Sequence, residues 1–154
     1  MNTSLITNLP RRTRFEEIFT NLIPQTQGLD IVTSDIDVTA FLPYASQWNG
    51  IQKTRIIIGH PATTSSRKDL SDHIWDYNES TIEFAKMVTD DLTALETVRN
   101  LIQTGRIEIR AYQKDRLRAA AYLFKASQNG NTGFVGSSDF TEEGLKYPIE
   151  INAQ

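Results

Sequence analysis

Residues 115–145 read "DRLRAAAYLFKASQNGNTGFVGSSDFTEEGL". Two apolar stretches, "AAAYLFKA" and "FVGSS", flank the turn-forming "SQNGNTG", and "DFTEEGL" then opens a short helix or turn. This hairpin decides the fold once it is set beside the rest of the chain. Upstream, strands are separated by helices; here two strands follow one another directly. The combination predicts an α/β sandwich with a mixed, mainly parallel β-sheet flanked by helices.

Outward from the hairpin, "RIEIRAYQ" alternates Ile107, Ile109 and Ala111 with polar neighbours, the pattern of a half-buried strand. Before it, a long helix is expected from a capping box at Ser80 and Glu83. Phe84, Val88, Leu92, Leu95, Val98 and Ile102 supply its buried stripe, and Gly105 ends it. Thr89, Asp90 and Asp91 offer a second N-terminus within it. "PATTSSRKDLSDHIWDYNES" reads as an irregular polar loop. "TRIIIGH" is an unbroken apolar run, expected to be a parallel strand covered on both faces. "RRTRFEEIFTNLI" is a first helix stopping before Pro24, "LDIVTSDIDV" a strand, and "TAFLPYASQW" a helix interrupted or started near Pro43. "PIEINAQ" is a last strand, and a chain that stops on it is expected to be one domain, 1–154, of something longer.

Composition narrows the function classes. The chain has 154 residues, suited to one domain with a real core. No apolar run approaches the ~20 residues of a membrane helix, and "MNTSLITNLPRRTRF" lacks the order of a secretory signal, so a cytoplasmic location and no membrane partner are expected. There is no cysteine, which excludes disulfides and thiolate chemistry. Two isolated histidines, His60 and His73, leave little for a metal, and no cofactor is expected. A net charge of −3 argues against coating nucleic acid through global basicity. Locally, Arg106, Arg110, Lys114, Arg116, Arg118 and Lys125 outnumber Glu108 and Asp115. This is either a solvated strand face or an anion-binding strip. Trp48 and Trp75 could stack on bases, though packing is the commoner use.

Gly136, Ser137 and Ser138 follow a buried strand, and Thr141, Glu143 and Gly144 follow them. Small residues at a strand's carboxyl end let backbone N–H groups approach an anion, with hydroxyls as further donors. The same residues also fit an ordinary tight turn capped by Asp139 or Thr141.

Taken together, "LRAAAYLF", "VGSSDFTEEGL" and "PIEIN" resemble the phospholipase D-like (HKD) superfamily. The likeness is to the compact nuclease-type domains at the N-termini of bacterial helicase and restriction proteins. "LIQTGRIEIRAYQKDR" is similar to that family's lead-in helix and strand, and "ITNLP" to its opening. The resemblance is specific from Ile102 to Asn152.

The resemblance implies metal-independent phosphodiester chemistry. A motif histidine attacks phosphorus to form a phosphohistidine, a second motif's histidine protonates the leaving oxygen, and a lysine with a Ser/Asn pair holds the phosphoryl oxygens. A single-motif chain then implies a homodimer across the site. Carried over by position, Arg118 stands at the histidine, Ala120 at the lysine, and Asp139 at the asparagine. Ser137 and the trailing acid, Glu150, are retained, and Lys125 stands where fuller motifs place an aspartate. Arginine stays protonated and can neither attack phosphorus nor shuttle a proton. The expectation is therefore a catalytically dead site at Arg118, Ala120, Ser137, Asp139 and Glu150, with a phosphate cradle at Gly136, Ser137 and Ser138. Nucleic acid, DNA rather than RNA, would meet Arg110, Lys114, Arg116 and Arg118. Three changed positions together favour natural degeneration over deliberate inactivation, since one change suffices to inactivate. A non-catalytic docking or dimerisation module is the alternative, and a small-anion sensor a third reading.

Overall fold

Phe15 and Phe19 lie one helical turn apart, so a helix here buries both rings on one side. In the computed structural model they do, in α1 (Phe15–Leu22). The structure describes residues 14–59, 93–112, 117, 119–126 and 130–146, with backbone alone for 5–7, 89–92 and 151–153. After α1, Pro24 sits inside a 3₁₀ turn, Ile23–Gln25, that leads into β2 (Thr26–Thr33). The strand expected at "LDIVTSDIDV" thus begins earlier and stops at Thr33. The carboxylate of Asp37 accepts from the Thr39 N–H at 2.9 Å and starts a 3₁₀ turn, Val38–Ala40. Pro43 begins no long helix; it sits in a second such turn, Leu42–Tyr44, before the four-residue α2 (Ala45–Trp48).

β3 (Lys53–Gly59) departs from expectation. Ile56 and Ile58 are buried, but Ile57 between them is 40% exposed, so the isoleucine run is covered on one face only. The next described helix, α3 (Thr89–Gln103), starts where the second N-terminus was expected; the capping box at Ser80 and Glu83 lies outside the described residues. Leu95, Val98 and Leu101 bury its inner side, and Gly105, at φ +72°, stops it in the left-handed conformation that glycine adopts without penalty. β4 (Ile107–Tyr112) follows. The predicted hairpin is β5 (Ala120–Ala126) and β6 (Asn131–Gly136), with α4 (Glu142–Lys146) after it. The short strands β1 (Leu5–Thr7) and β7 (Ile151–Ala153) pair with each other.

Among the described residues the sheet has seven strands, ordered β1-β7-β6-β5-β2-β3-β4. It is mixed, as the hairpin requires. β2, β3 and β4 are parallel neighbours, and β5 runs antiparallel to both β2 and β6. β6 and β1 are each antiparallel to β7, so five of the seven strands point one way and only β5 and β7 oppose them. All four described helices lend side chains to one core on one face of this sheet: Phe15 and Phe19, Trp48, Val98 and Leu101, and Leu145. Trp48 is therefore packing, not a base-stacking platform, and Trp75 lies outside the described residues.

The core is aromatic over the hairpin. Phe15 meets Tyr122 at 4.8 Å between centroids and Phe134 at 5.5 Å, and Phe19 meets Phe124 at 5.3 Å. Each such ring contributes about 1.5–3 kcal/mol through burial, with edge contacts adding about 1 kcal/mol. α1 thereby clamps β5 and β6, and the loop after β6 emerges from a rigid base.

The opposite face carries a row of charges. Asp30 on β2 accepts from Arg55 on β3 at 2.7 and 2.6 Å and from Lys125 on β5 at 2.5 Å. Lys53 reaches Glu108 at 2.6 Å and the Gly105 carbonyl at 2.7 Å. Arg106 is spent on backbone: its guanidinium donates to the carbonyls of Ile51 at 2.6 Å and Asn49 at 2.8 Å, just past α2. Two cations of the basic strip read from sequence, Arg106 and Lys125, thus have structural partners.

Candidate functional site

Register brings the motif segments to one end of the sheet. Ala120 at the start of β5 is level with Gly136 at the end of β6, and Gly136 is level with Asn152 in β7. β2 ends at this same end, since Val32 pairs with Ala121. The chain therefore enters β5 and β7 where β2 and β6 finish. Arg118, Glu150, Lys114 and Arg116 belong to the sequence-derived site but lie outside the described residues, as do His60 and His73.

The loop after β6 is laced to the end of β2. Asp139 Oδ1 accepts from the Ser34 N–H at 2.7 Å and lies 2.9 Å from the Thr33 hydroxyl. That hydroxyl accepts from the Phe140 N–H at 2.9 Å, and its single hydrogen serves either Asp139 or the Asp35 carbonyl at 2.5 Å. The Phe140 carbonyl takes the Asp37 N–H at 3.0 Å, and Ile36 and Phe140 form a parallel bridge. Below, the Tyr122 hydroxyl donates to the Ser138 carbonyl at 2.6 Å. Phe140 is fully buried between Phe41, at 4.7 Å, and Trp48, at 6.3 Å. The loop is held by backbone and hydroxyl groups on three sides.

Gly144 closes the fourth. A methyl group there would lie 2.3 Å from the Asp139 carbonyl oxygen and 2.9 Å from its nitrogen, so only hydrogen fits. The Thr141 hydroxyl accepts from the Gly144 N–H at 3.0 Å. Of the two capping candidates, Thr141 is the cap, and Asp139 is turned to β2 instead. The entry to β5 is held in the same manner. Ser34 Oγ donates to the Leu117 carbonyl at 3.1 Å, and a methyl at Gly59 would collide with Leu117 Cβ at 2.5 Å.

Site positions divide by exposure. Ala120 is 1% exposed and faces the core with Tyr122. Ser138 is wholly buried, Gly136 half-buried and Ser137 exposed. The carboxylate of Asp139 is committed to β2, while those of Asp35 and Asp37 each accept from a nearby backbone N–H. Arg110 points from the other face of β4, three strands from β5, with a long 3.5 Å contact to Glu108. Lys125 sits at the far end of β5.

Sequence reading missed Thr33, Ser34 and Tyr122. The available signal was a pair of hydroxyl residues directly after the buried "LDIV".

Perturbed groups lie away from the loop. Arg55, followed by Lys125, holds the Asp30 carboxyl below its usual range against a burial effect that raises it. Burial pushes the Tyr44 phenol up.

The mixed sheet with this hairpin, the glycine-serine loop and helices packed beneath matches the fold of a phospholipase D family member. Similar solved structures are a mutant of yeast tyrosyl-DNA phosphodiesterase 1, at TM-score 0.58 and 7% identity, and the yeast tyrosyl-DNA phosphodiesterase, at 0.54 and 9%. A third is Nuc, a phospholipase D family member from Salmonella typhimurium, at 0.52 and 11%. Each match covers 99% of this chain; it spans 31% of the yeast proteins and 80% of Nuc. No protein-family model and no curated protein matches the chain.

Proposed function

We propose that this chain is a phospholipase D-like phosphodiesterase or nuclease-type domain of a DNA-processing, helicase- or restriction-associated system, with its reaction centre disabled. The observation that carries this reading is the contrast within one site. The Gly136–Gly144 loop is close-packed against β2, while Ala120, the residue matched to the family's lysine by resemblance, is a buried methyl. Ser137, exposed beside half-buried Gly136, is the natural contact for a phosphoryl oxygen. Ala120 carries no charge to neutralise one, and Arg118 could bind a phosphate but not attack it. Nuc and the yeast enzymes, a phospholipase D family member and tyrosyl-DNA phosphodiesterases, support the substrate class. A nucleic-acid strand tracking the strip would meet Arg110, Lys114, Arg116 and Arg118.

The experiment restores Arg118→His, Ala120→Lys and Asp139→Asn together and follows bis-(4-nitrophenyl) phosphate and DNA cleavage with EDTA present. Turnover in the triple variant and none in the parent supports the disabled-enzyme reading. Absence of turnover in both, with DNA retained by the parent at low salt, moves the reading to a docking module. Asp139 favours that second reading, because its carboxylate already has a structural use and adds negative charge beside the loop.

A further inference from the structure

β4 is the last strand of the sheet, and among the described residues nothing pairs with its outer side. An exposed edge of this kind is usually blunted by charges that repel an incoming strand. Glu108 and Arg110 are such charges, yet they have opposite signs and stand two apart on the same face.

The backbone phase is set by the inner neighbour. Thr54, level with Ile107, donates its N–H to the Arg106 carbonyl at 2.8 Å. In a parallel ladder that phase turns the backbone groups of Glu108 and Arg110 toward β3. Those of Ile107, Ile109 and Ala111 then point outward. An antiparallel partner centred on Ile109 meets all of these outward groups. Ile109 and its twin exchange both N–H···O bonds, and Ile107 does the same with Ala111 of the second copy.

The same register places Glu108 opposite Arg110 of the second copy, and Arg110 opposite its Glu108. These are non-hydrogen-bonded pairs, with Cα atoms about 4.5 Å apart and side chains closest. Moving the centre to Glu108 or Arg110 sets like charges face to face, and a one-residue slip turns the core face outward. The sequence is self-complementary in one register, and that register is the one the open backbone groups accept. Arg110 is free to take part: its side chain is 71% exposed, and its contact with Glu108 of its own strand is loose. On the inner face, half-buried Ile109 lies against its twin and extends the apolar core across the axis.

The geometry points to a second copy of this chain as the partner of β4, paired antiparallel about Ile109 to make one continuous sheet. This goes beyond the phosphodiester reading and does not depend on it. β4 lies three strands from β5, so the two candidate sites sit far apart in such a dimer.

The test uses sedimentation velocity on the full chain over a wide concentration range. The parent is expected at twice 17.4 kDa. Glu108→Arg alone and Arg110→Glu alone each set like charges opposite one another and are expected as monomers. An equimolar mixture of the two restores opposite charges at both contacts and is expected to double in mass again, which also shows that both variants are folded. A parent that stays monomeric overturns the inference, as does a mixture that does. A dimer that survives either single charge reversal also overturns it and points to pairing across the site instead.

Discussion

The carboxylate of Asp139 lies 2.7 Å from the backbone nitrogen of Ser34. The two residues are 105 positions apart, and the bond joins the end of β2 to the loop after β6. Asp139→Ala would orphan that N–H at a half-buried site, at a cost of about 1.5–3 kcal/mol for a charge-assisted bond. Asp139→Asn keeps an acceptor oxygen in place and is expected to lose less than about 1 kcal/mol. Urea unfolding of both variants checks the order; equal losses would show that the bond contributes nothing specific.

Gly144→Ala forces a methyl group against the Asp139 backbone, with no flexible side chain to move aside. Overpacking of this sort costs about 1–3 kcal/mol. Gly133→Ala is the control, because its nearest neighbours stand at 3.8 Å. Thermal melts should separate the two variants by several degrees, with Gly144→Ala the lower.

Arg106 and Arg110 should part company in assay. Arg106→Ala removes donors from the Asn49 and Ile51 carbonyls and is expected to destabilise by about 1–2 kcal/mol. It should leave retention on immobilised DNA at low salt unchanged. Measured at concentrations where the chain is monomeric, Arg110→Ala should leave stability within about 0.5 kcal/mol and weaken retention. The reverse pattern would remove Arg110 from the nucleic-acid surface.

The Asp30 carboxyl titrates below its ordinary value of 3.8 because Arg55 and then Lys125 favour the charged form. A group with a depressed folded pKa contributes stability that is full above the unfolded value and fades as pH falls through the folded one. Unfolding midpoints of the parent should therefore decline below about pH 4. Asp30→Asn should lower the midpoint at neutral pH and flatten that acid limb. An unchanged limb would mean that other carboxyl groups set it.

Local signals carried the sequence reading a long way. The hairpin from 120 to 136 and the helix stop at Gly105 are each encoded within a few residues, and each is present; of the two caps the sequence offers, Asp139 and Thr141, the structure uses Thr141. The run Ile56–Ile58 misled because three isoleucines read alike whether one face or both are covered; only the neighbouring layers decide, and they leave Ile57 exposed. The uses of Thr33, Ser34 and Asp139 were not legible because their partners lie more than 80 residues away. Arg106 read as a surface cation for the same reason: its carbonyl partners are 55 and 57 residues upstream.

The bracing of the loop has an evolutionary corollary. Its shape depends on Thr33, Ser34, Tyr122, Asp139, Phe140 and Gly144. Of these only Asp139 is also a residue of the proposed site, so changes at positions 118 and 120 leave the supports untouched. In such an arrangement side chains beside the loop can change by ordinary mutation while the architecture persists.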